Sequence, residues 1–274
     1  MRILTGIDLT MEDHDWILKP SIQIAGKLNA QIDLIYVMAG AETSKVAHNL
    51  SQLQDLLATL PKQNQGQVIC EPGTVVSGLV DRADKYDMIV IGPREPGPLE
   101  RILRGPVAAR VVQRTSKPVL IPRLEHKPYR KRCKLLVGID LQGPDHQRLL
   151  RLAGDWAKHT SGTVDGVYVE PNRLPYISDS RVRAAAERDW EAARQPIRLQ
   201  LQEMMAQVVE EPHRGEALMA WGEPEAALIK LSESFDLVVV GSLPRKGLAG
   251  YILGSVATNV LRGAHCDVLA LTAQ

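Results

Sequence analysis

Two glycines and a serine near the end of the chain have the types and spacing of an anion-binding site. Gly241 follows the apolar run DLVVV, and Gly254 and Ser255 open a later segment with helical patterning. A strand, a glycine-containing loop and a helix N-terminus present backbone N–H groups and the positive end of the helix dipole. This combination favours the binding of phosphate groups.

The motifs of several enzyme classes are absent from the sequence. It lacks Gly-x4-Gly-Lys-Ser/Thr, Gly-x-Ser-x-Gly and His-Glu-x-x-His, and no Gly-x-Gly-x-x-Gly follows the first apolar strand of either half. The seven histidines are scattered without metal-ligand spacing. Cys70, Cys133 and Cys266 are odd in number and widely separated, which predicts reduced thiols.

An internal repeat organises the elements that must position these residues. ILTGIDL at 3–9 matches LLVGIDL at 135–141, and the segment 73–92 aligns without a gap onto 222–241. The offset between the halves rises from 132 to 149, so the second half contains a 17-residue insertion, which we assign to the polar, helix-forming stretch 178–211. Repeats in a fixed order over the whole chain indicate duplication.

Each half alternates short apolar runs with longer helix-patterned segments. In the first half the runs lie near 2–8, 31–38, 66–70, 87–92 and 117–121. Nearly continuous apolar strands suit parallel sheets that are covered on both faces, and we predict an α/β fold of two doubly wound domains. Ligands of such sheets bind beyond the carboxyl ends of the strands, where Gly241 lies.

The sequence resembles the universal stress protein family over almost its whole length. ATP-binding members carry Gly-x2-Gly-x9-Gly-Ser/Thr after the fourth strand, and the corresponding residues are Gly241, Pro244, Gly254 and Ser255. Three of the four positions match. Pro244 removes an N–H donor and fixes φ, so we expect phosphate binding to be weakened or rearranged. Arg245 and Lys246, which follow, offer positive charge in its place.

The resemblance implies a fold, a ligand and a set of contacts. Each domain is expected to hold a five-stranded parallel sheet of order 3-2-1-4-5 with helices on both faces. Asp140 is implied at the ribose or adenine and the Val169 backbone at the adenine. The family's Gly-x-Pro signature is present as Gly222-Glu223-Pro224. The implied nucleotide-binding residues are Asp140, Val169, Gly241, Ser242, Arg245, Gly254, Ser255 and Val256, with ATP as ligand and Mg²⁺ carried by the nucleotide.

The first copy, which we place at residues 1–128, differs from the second copy at 129–274. It has Gly92 and Gly105 at the family spacing, but Glu95 replaces the second glycine and Pro106 replaces the Ser/Thr. A carboxylate in the phosphate position repels phosphate, so we predict a degenerate loop and a structural role. The copies are expected to pack as a pseudo-dimer, and the final strands KPVLIP and CDVLAL are candidate edges for a homodimer.

Composition restricts the class of partner. The positive charges of 33 Lys and Arg residues nearly balance the negative charges of 32 Asp and Glu residues, which argues against a surface that binds nucleic acid or an anionic membrane. We interpret the basic run 126–134 as a solvated linker. The N-terminus lacks secretory features and no apolar stretch is long enough to span a membrane, so we predict a cytoplasmic protein.

We therefore predict a tandem stress-response protein that binds an adenine nucleotide in its second copy as a sensing ligand. We predict no dedicated catalysis, with slow ATP hydrolysis left open, and the fold also leaves open an electron-transfer or adenosine-hydrolase relative. The alternative is an interaction or dimerisation module without nucleotide, with a protein partner. In that case the insertion serves as a lid or a partner-binding helix, whereas its plainer interpretation is the ordinary second helix with a longer loop before it.

Overall fold

The computed structural model describes residues 1–38, 45–92, 106–141, 146–170, 180–244 and 251–272. The elements of the first copy are β1 (Arg2–Gly6), α1 (Asp15–Leu28), β2 (Gln31–Met38), α2 (Val46–Ala58), β3 (Gln65–Pro72), α3 (Val75–Val80), β4 (Met88–Ile91), α4 (Pro106–Val112) and β5 (Val119–Ile121). Those of the second copy are β6 (Lys134–Ile139), α5 (His146–Thr160), β7 (Thr163–Glu170), α6 (Ser180–Val208), β8 (Arg214–Trp221), α7 (Pro224–Leu231), β9 (Leu237–Pro244), β10 (Tyr251–Leu253), α8 (Ser255–Gly263) and β11 (Asp267–Thr272). No helix in these ranges is both long and apolar enough to cross a membrane.

The strands form one sheet in the order β3-β2-β1-β4-β5-β11-β9-β6-β7-β8, with β10 paired to β9. Within each copy the order is 3-2-1-4-5 and the pairing of these five strands is parallel, which confirms the predicted fold class. The direction of strand addition reverses between β1 and β4 in the first copy and between β6 and β9 in the second copy.

The two copies are joined edge to edge by β5 and β11. These strands pair antiparallel, with Leu120 opposite Leu269. The prediction that KPVLIP and CDVLAL are free edges for a homodimer is therefore wrong, because each strand already pairs with the other inside one chain. The predicted intramolecular pseudo-dimer has this continuous sheet as its interface.

Two apolar layers cover the faces of the sheet. One layer contains Ile17 of α1, Leu53 of α2, Leu150 of α5 and Leu201 of α6. The other layer packs α3 and α4 of the first copy and α7 and α8 of the second copy against the opposite face. Strands buried on both faces have no polar alternation, which is why β4 is the apolar run MIVI.

The insertion forms helix rather than only a longer loop. The α6 helix has 29 residues against 13 in α2, and Pro196 lies inside it. The described part of the extension is fastened to the carboxyl ends of β7 and β8 by the buried Arg194. Its Nε lies 3.4 Å from Glu170 Oε2 and its guanidinium lies 4.8 Å from the centre of the Trp221 ring.

The connection between the copies is only partly solvated, contrary to the simple linker prediction. His126 Nδ1 lies 2.8 Å from Asp267 Oδ2, and the Tyr129 hydroxyl donates to the same oxygen at 2.6 Å. Burial and the neighbouring Asp267 carboxylate raise the pKa of Tyr129 well above its usual range. Arg123 donates to the carbonyls of Val260 and Leu261 at the end of α8. The connection is thus bound to the second copy.

Candidate functional site

Of the predicted site residues of the second copy, those that the structure describes lie at the carboxyl ends of the strands. Asp140 directly follows β6, whose Ile139 is opposite Tyr168 of β7, and Val169 is the next residue of β7. Gly241 is in the carboxyl-terminal half of β9, opposite Leu271 of β11. Parallel strands end at the same edge, so the backbone of three neighbouring strands brings these residues together. Asp140 is exposed, whereas Val169 is buried.

The N-terminus of α8 completes this edge. Leu253 of β10 is paired with Ser242 of β9, so Gly254 and Ser255 start the helix beside that strand. Gly254 is the N-cap and has no side chain to bond the first-turn N–H groups. Both residues are exposed, and Val256 is half-buried. Uncapped first-turn N–H groups together with the helix dipole form an electropositive point.

The segment after Gly241 is a strand rather than an open loop. Residues 242–244 continue β9 and pair antiparallel with β10, with Pro244 opposite Tyr251. A proline with φ near −65° is compatible with the end of an edge strand. The pairing commits the backbone of this segment to a hairpin. Weakened phosphate binding through Pro244 stays a prediction. Arg245 and Lys246 lie outside the described residues.

The Gly-x-Pro signature shapes the rim of the same site. Gly222 has φ +101°, a left-handed conformation that favours glycine, and its N–H donates to Glu170 O at 2.9 Å. Pro224 is the first residue of α7, where a missing N–H costs no hydrogen bond. The chain therefore turns sharply from β8 into α7 beside the carboxyl end of β7.

The first copy has a cleft at the equivalent edge, which the sequence did not predict. The first-copy cleft has a volume of 270 Å³, and its walls include Ile7, Asp8, Trp16, Tyr36, Leu79 and Val107. Trp16 lies directly on the backbone of Gly92, because a Cβ added to that glycine would stand 1.9 Å from the indole ring. At the equivalent Gly241 the added Cβ would stand 3.4 Å from Leu149. Trp16 and Leu149 therefore each pack beside the strand-end glycine of their own copy.

Two aromatic residues of the first-copy cleft escaped the sequence reasoning. Trp16 is in α1 and Tyr36 is in β2, and both had the appearance of ordinary core residues of an amphipathic helix and an apolar strand. The available signal was the alignment of the copies, in which Tyr36 and Tyr168 match. Burial, followed by the charge of Asp8, raises the pKa of Tyr36 above its usual value.

The helix that faces the first-copy cleft differs from α8. The α4 helix has seven residues and starts at Pro106, which has no N–H to offer. Residues 93–105, which contain Glu95 and Gly105, lie outside the described residues. Within the described residues of both copies, no group of three or more His, Cys, Asp or Glu side chains is arranged to hold a metal ion.

Comparison with known proteins places this geometry in a family. The model of the universal stress protein family matches the chain twice, over residues 1–123 and 132–272. A universal stress protein of Mycobacterium tuberculosis is 31% identical over 206 residues, which cover 72% of this chain. The alignment spans 65% of that relative's length. A universal stress protein of Mycolicibacterium smegmatis is 25% identical and aligns over 98% of this chain and 96% of its own length.

A solved structure supports the fold independently. The crystal structure of a universal stress protein from Archaeoglobus fulgidus has a TM-score of 0.67 to this chain at 19% sequence identity. The alignment covers 99% of this chain and 98% of that protein's chain. The two family matches, the duplicated 3-2-1-4-5 sheet and the full-length structural likeness agree. The chain belongs to the universal stress protein family, of which it contains two tandem domains.

Proposed function

We propose that the second copy binds ATP or a related adenine nucleotide as a sensing or regulatory ligand in a stress response. The observation that carries the proposal is the exposed N-terminus of α8, where Gly254 leaves the first-turn N–H groups without a side-chain cap. It stands beside Ser242 of β9, at the same edge as Asp140 and Val169. Phosphate at the helix and a nucleoside over the strand ends would occupy one continuous site.

Each predicted residue has a role in this proposal. Asp140 accepts hydrogen bonds from the ribose or adenine, and the backbone of Val169 contacts the adenine. The phosphates lie at the helix start and the adjoining strand. The residues proposed around the ribose and phosphates are Gly241, Ser242, Arg245, Gly254, Ser255 and Val256, and Mg²⁺ enters with the nucleotide. Binding is coupled to shape or assembly, and we place this function in the cytoplasm.

Substitutions of Gly254 at the N-terminus of α8 can test the proposed phosphate position without disrupting the fold. A Cβ on Gly254 would meet no atom of the described residues within 4 Å, and its φ of −62° suits any residue. Gly254→Asp and Gly254→Asn have nearly equal size and both cap a helix well. Only the aspartate places a negative charge where the phosphates are proposed to lie.

The experiment measures thermal unfolding with millimolar ATP, AMP and GTP. Ligand at about 100 times its Kd adds roughly 2.7 kcal/mol to the stability of the binding domain, a shift of several degrees. We expect this shift with ATP for the wild type and for Gly254→Asn, and its loss in Gly254→Asp and in Asp140→Ala. Asp8→Ala in the first copy is the matched control and should keep the shift. Equal shifts in Gly254→Asp and Gly254→Asn would contradict phosphate at α8.

The α6 surface favours a second candidate, an interaction or dimerisation module that works without nucleotide. Leu199 of α6 is 54% exposed and Trp221 at the end of β8 is 56% exposed, so the insertion side of the second copy presents large apolar groups. Two results together would support this candidate over nucleotide sensing. No nucleotide would shift the thermal unfolding midpoint, and sedimentation would show a dimer that the Leu199→Asp substitution converts to a monomer.

A further inference from the structure

A groove at the seam between the two copies has a volume of 460 Å³. It lies between one face of α5 and the amino ends of β1, β4 and β5, and we call it the seam groove. Its walls are mainly apolar, and the apolar lining residues are Met1, Leu28, Pro118, Leu152, Trp156 and Leu271. Among the described residues that line it, none belongs to β6, β7, β9 or α8, on which nucleotide binding is proposed. The seam groove is therefore distinct from that site.

The duplication gives the seam groove a counterpart that the chain itself fills. The connection between β5 and β6 crosses the amino ends of β6, β9 and β11 beside α1. There the Tyr129 N–H donates to Gln23 Oε1 at 2.8 Å, and the Tyr129 hydroxyl donates to Asp267 Oδ2 at 2.6 Å. The Arg130 N–H donates to Asp236 Oδ1 at 3.3 Å, and its guanidinium pairs with Oδ2 at 3.2 Å. An aromatic residue followed by a basic one thus fills the counterpart.

The seam groove keeps two acceptors at the positions of those in its counterpart. The first residue of β1 donates its N–H to Asp87 Oδ2 at 2.7 Å, just as the first residue of β6 donates to Asp236 Oδ2 at 2.8 Å. In the described part of the chain no hydrogen bond reaches Asp87 Oδ1, whereas Asp236 Oδ1 accepts from Arg130. At the offset of 132, Asp155 of α5 takes the place of Gln23 of α1. Both carboxylates can therefore accept from a second segment.

A third acceptor of the counterpart is replaced. At the offset of 149, Pro118 takes the place of Asp267, which accepts from the Tyr129 hydroxyl. A phenolic hydroxyl in the seam groove therefore gains no corresponding carboxylate. An aromatic ring still has apolar walls to contact, one of which is the half-buried Trp156. The seam groove thus suits an aromatic ring with or without its hydroxyl.

The charged side chains of the seam groove are of both signs. The ionisable residues among its described walls are Asp87, Lys117, Arg148, Asp155 and His159, and Lys158 lies 3.5 Å from Asp155. Carboxylates accept from peptide N–H groups, and cationic side chains donate to peptide carbonyls. A peptide supplies both kinds of partner, whereas a small ion of one charge is repelled by some of these groups. The mixture of charges therefore favours a polypeptide segment.

We propose that the seam groove binds a segment of a partner protein in which an aromatic residue precedes a basic one. The aromatic ring packs against Trp156, its backbone N–H donates to Asp155, and the basic side chain pairs with Asp87. The segment lies as Tyr129 and Arg130 lie in the counterpart. This inference does not rest on nucleotide binding by the second copy.

The test is calorimetric titration of the full-length protein with three synthetic peptides. The first peptide, acetyl-His-Lys-Pro-Tyr-Arg-Lys-amide, repeats residues 126–131, and the others have phenylalanine or alanine in place of the tyrosine. We expect the tyrosine and phenylalanine peptides to bind within about threefold of each other and at least tenfold more tightly than the alanine peptide. A tenfold preference for tyrosine over phenylalanine would indicate displacement of the connection from the counterpart, and it would overturn the proposal.

Matched carboxylate variants locate the bound peptide. Asp87→Asn keeps an oxygen for the N–H at the start of β1 and removes the charge, so it should weaken binding of the tyrosine peptide at least fivefold. Asp84→Asn makes the same change at an exposed carboxylate outside the groove and should leave binding unchanged. Equal effects of the two variants, or no binding of any peptide, would overturn the proposal. A dimer in sedimentation that excludes the peptide would assign the groove to a second copy and overturn it as well.

Discussion

The carboxyl edges of the two copies share one strand order but have different chemical character. In the second copy the edge ends in the exposed Gly254 and Ser255 at the start of α8. In the first copy α4 starts at Pro106, and Trp16 lies on Gly92 beside an aromatic cleft. Replacements at a few positions therefore change the chemical character of these strand ends, while the sheet beneath stays the same.

The copies also differ around a buried carboxylate on their second strands. Asp33 accepts from the Tyr86 hydroxyl at 2.7 Å and the Gln67 N–H at 2.9 Å, and it pairs with Arg2. The corresponding Asp165 accepts from the Glu216 N–H at 3.1 Å, and Phe235 stands where the first copy has Tyr86. Duplication preserved the carboxylate, while its donors diverged.

The largest expected effect tests that divergence. Asp33→Ala should lower the free energy of unfolding by about 3 kcal/mol, because the buried Tyr86 hydroxyl and Gln67 N–H lose a charged acceptor. Asp165→Ala should cost about 1 kcal/mol, since fewer donors from the described residues reach its carboxylate. Urea unfolding at pH 7 measures both variants. Similar losses would show that the donors around Asp33 do not distinguish the copies.

The next effect concerns the contact beneath each strand-end glycine. Gly92→Ala should cost about 2 kcal/mol because its Cβ overlaps the Trp16 ring, whereas Gly241→Ala should cost under about 1 kcal/mol. Adding Trp16→Leu to Gly92→Ala removes the ring that the new Cβ overlaps and should recover part of the loss. A double variant no more stable than Gly92→Ala alone would contradict the steric explanation. Denaturant midpoints of the four proteins provide the comparison.

A smaller effect appears in the pH dependence of stability. Burial raises the pKa of Asp165 above its ordinary 3.8, so the folded protein holds this proton more tightly than the unfolded chain. The resulting contribution is fully present below pH 3.8 and is lost as the pH rises through the folded-state pKa. Asp165→Asn should remove this decline from the unfolding free energy between pH 3 and 7. Superimposable pH profiles of variant and wild type would contradict it.

The smallest effect comes from restoring the missing donor. Phe235→Tyr introduces a hydroxyl where Tyr86 bonds Asp33 in the first copy, and it should stabilise the protein by about 0.5 kcal/mol. It should also lower the pKa of Asp165, which an NMR titration of the carboxyl carbon measures. Tyr86→Phe is the reciprocal control and should destabilise. An unchanged Asp165 pKa would show that the two environments are not superimposable.

The parts of the fold that could be predicted from the sequence were those with strong local residue patterns. Apolar runs such as MIVI predicted buried parallel strands, and the matching of ILTGIDL with LLVGIDL predicted two copies of one topology. The alternation of strand and helix segments along the chain also predicted that Asp140, Val169, Gly241 and Ser255 lie close together, because the carboxyl ends of parallel strands meet on one side of the sheet. For the insertion, helical patterning indicated α6 but not that its extension would be tied down by Arg194 and Glu170.

By itself the sequence determined the duplication, the alternation of strands and helices and the position of the glycine motif, since these depend on spacing along the chain. Only the tertiary structure decided that β5 pairs with β11, that Trp16 lies on Gly92 and that Asp33 is surrounded by donors. Such contacts join residues far apart in the chain. They depend on which surfaces remain uncovered once the strands and helices have packed, and no local pattern records that.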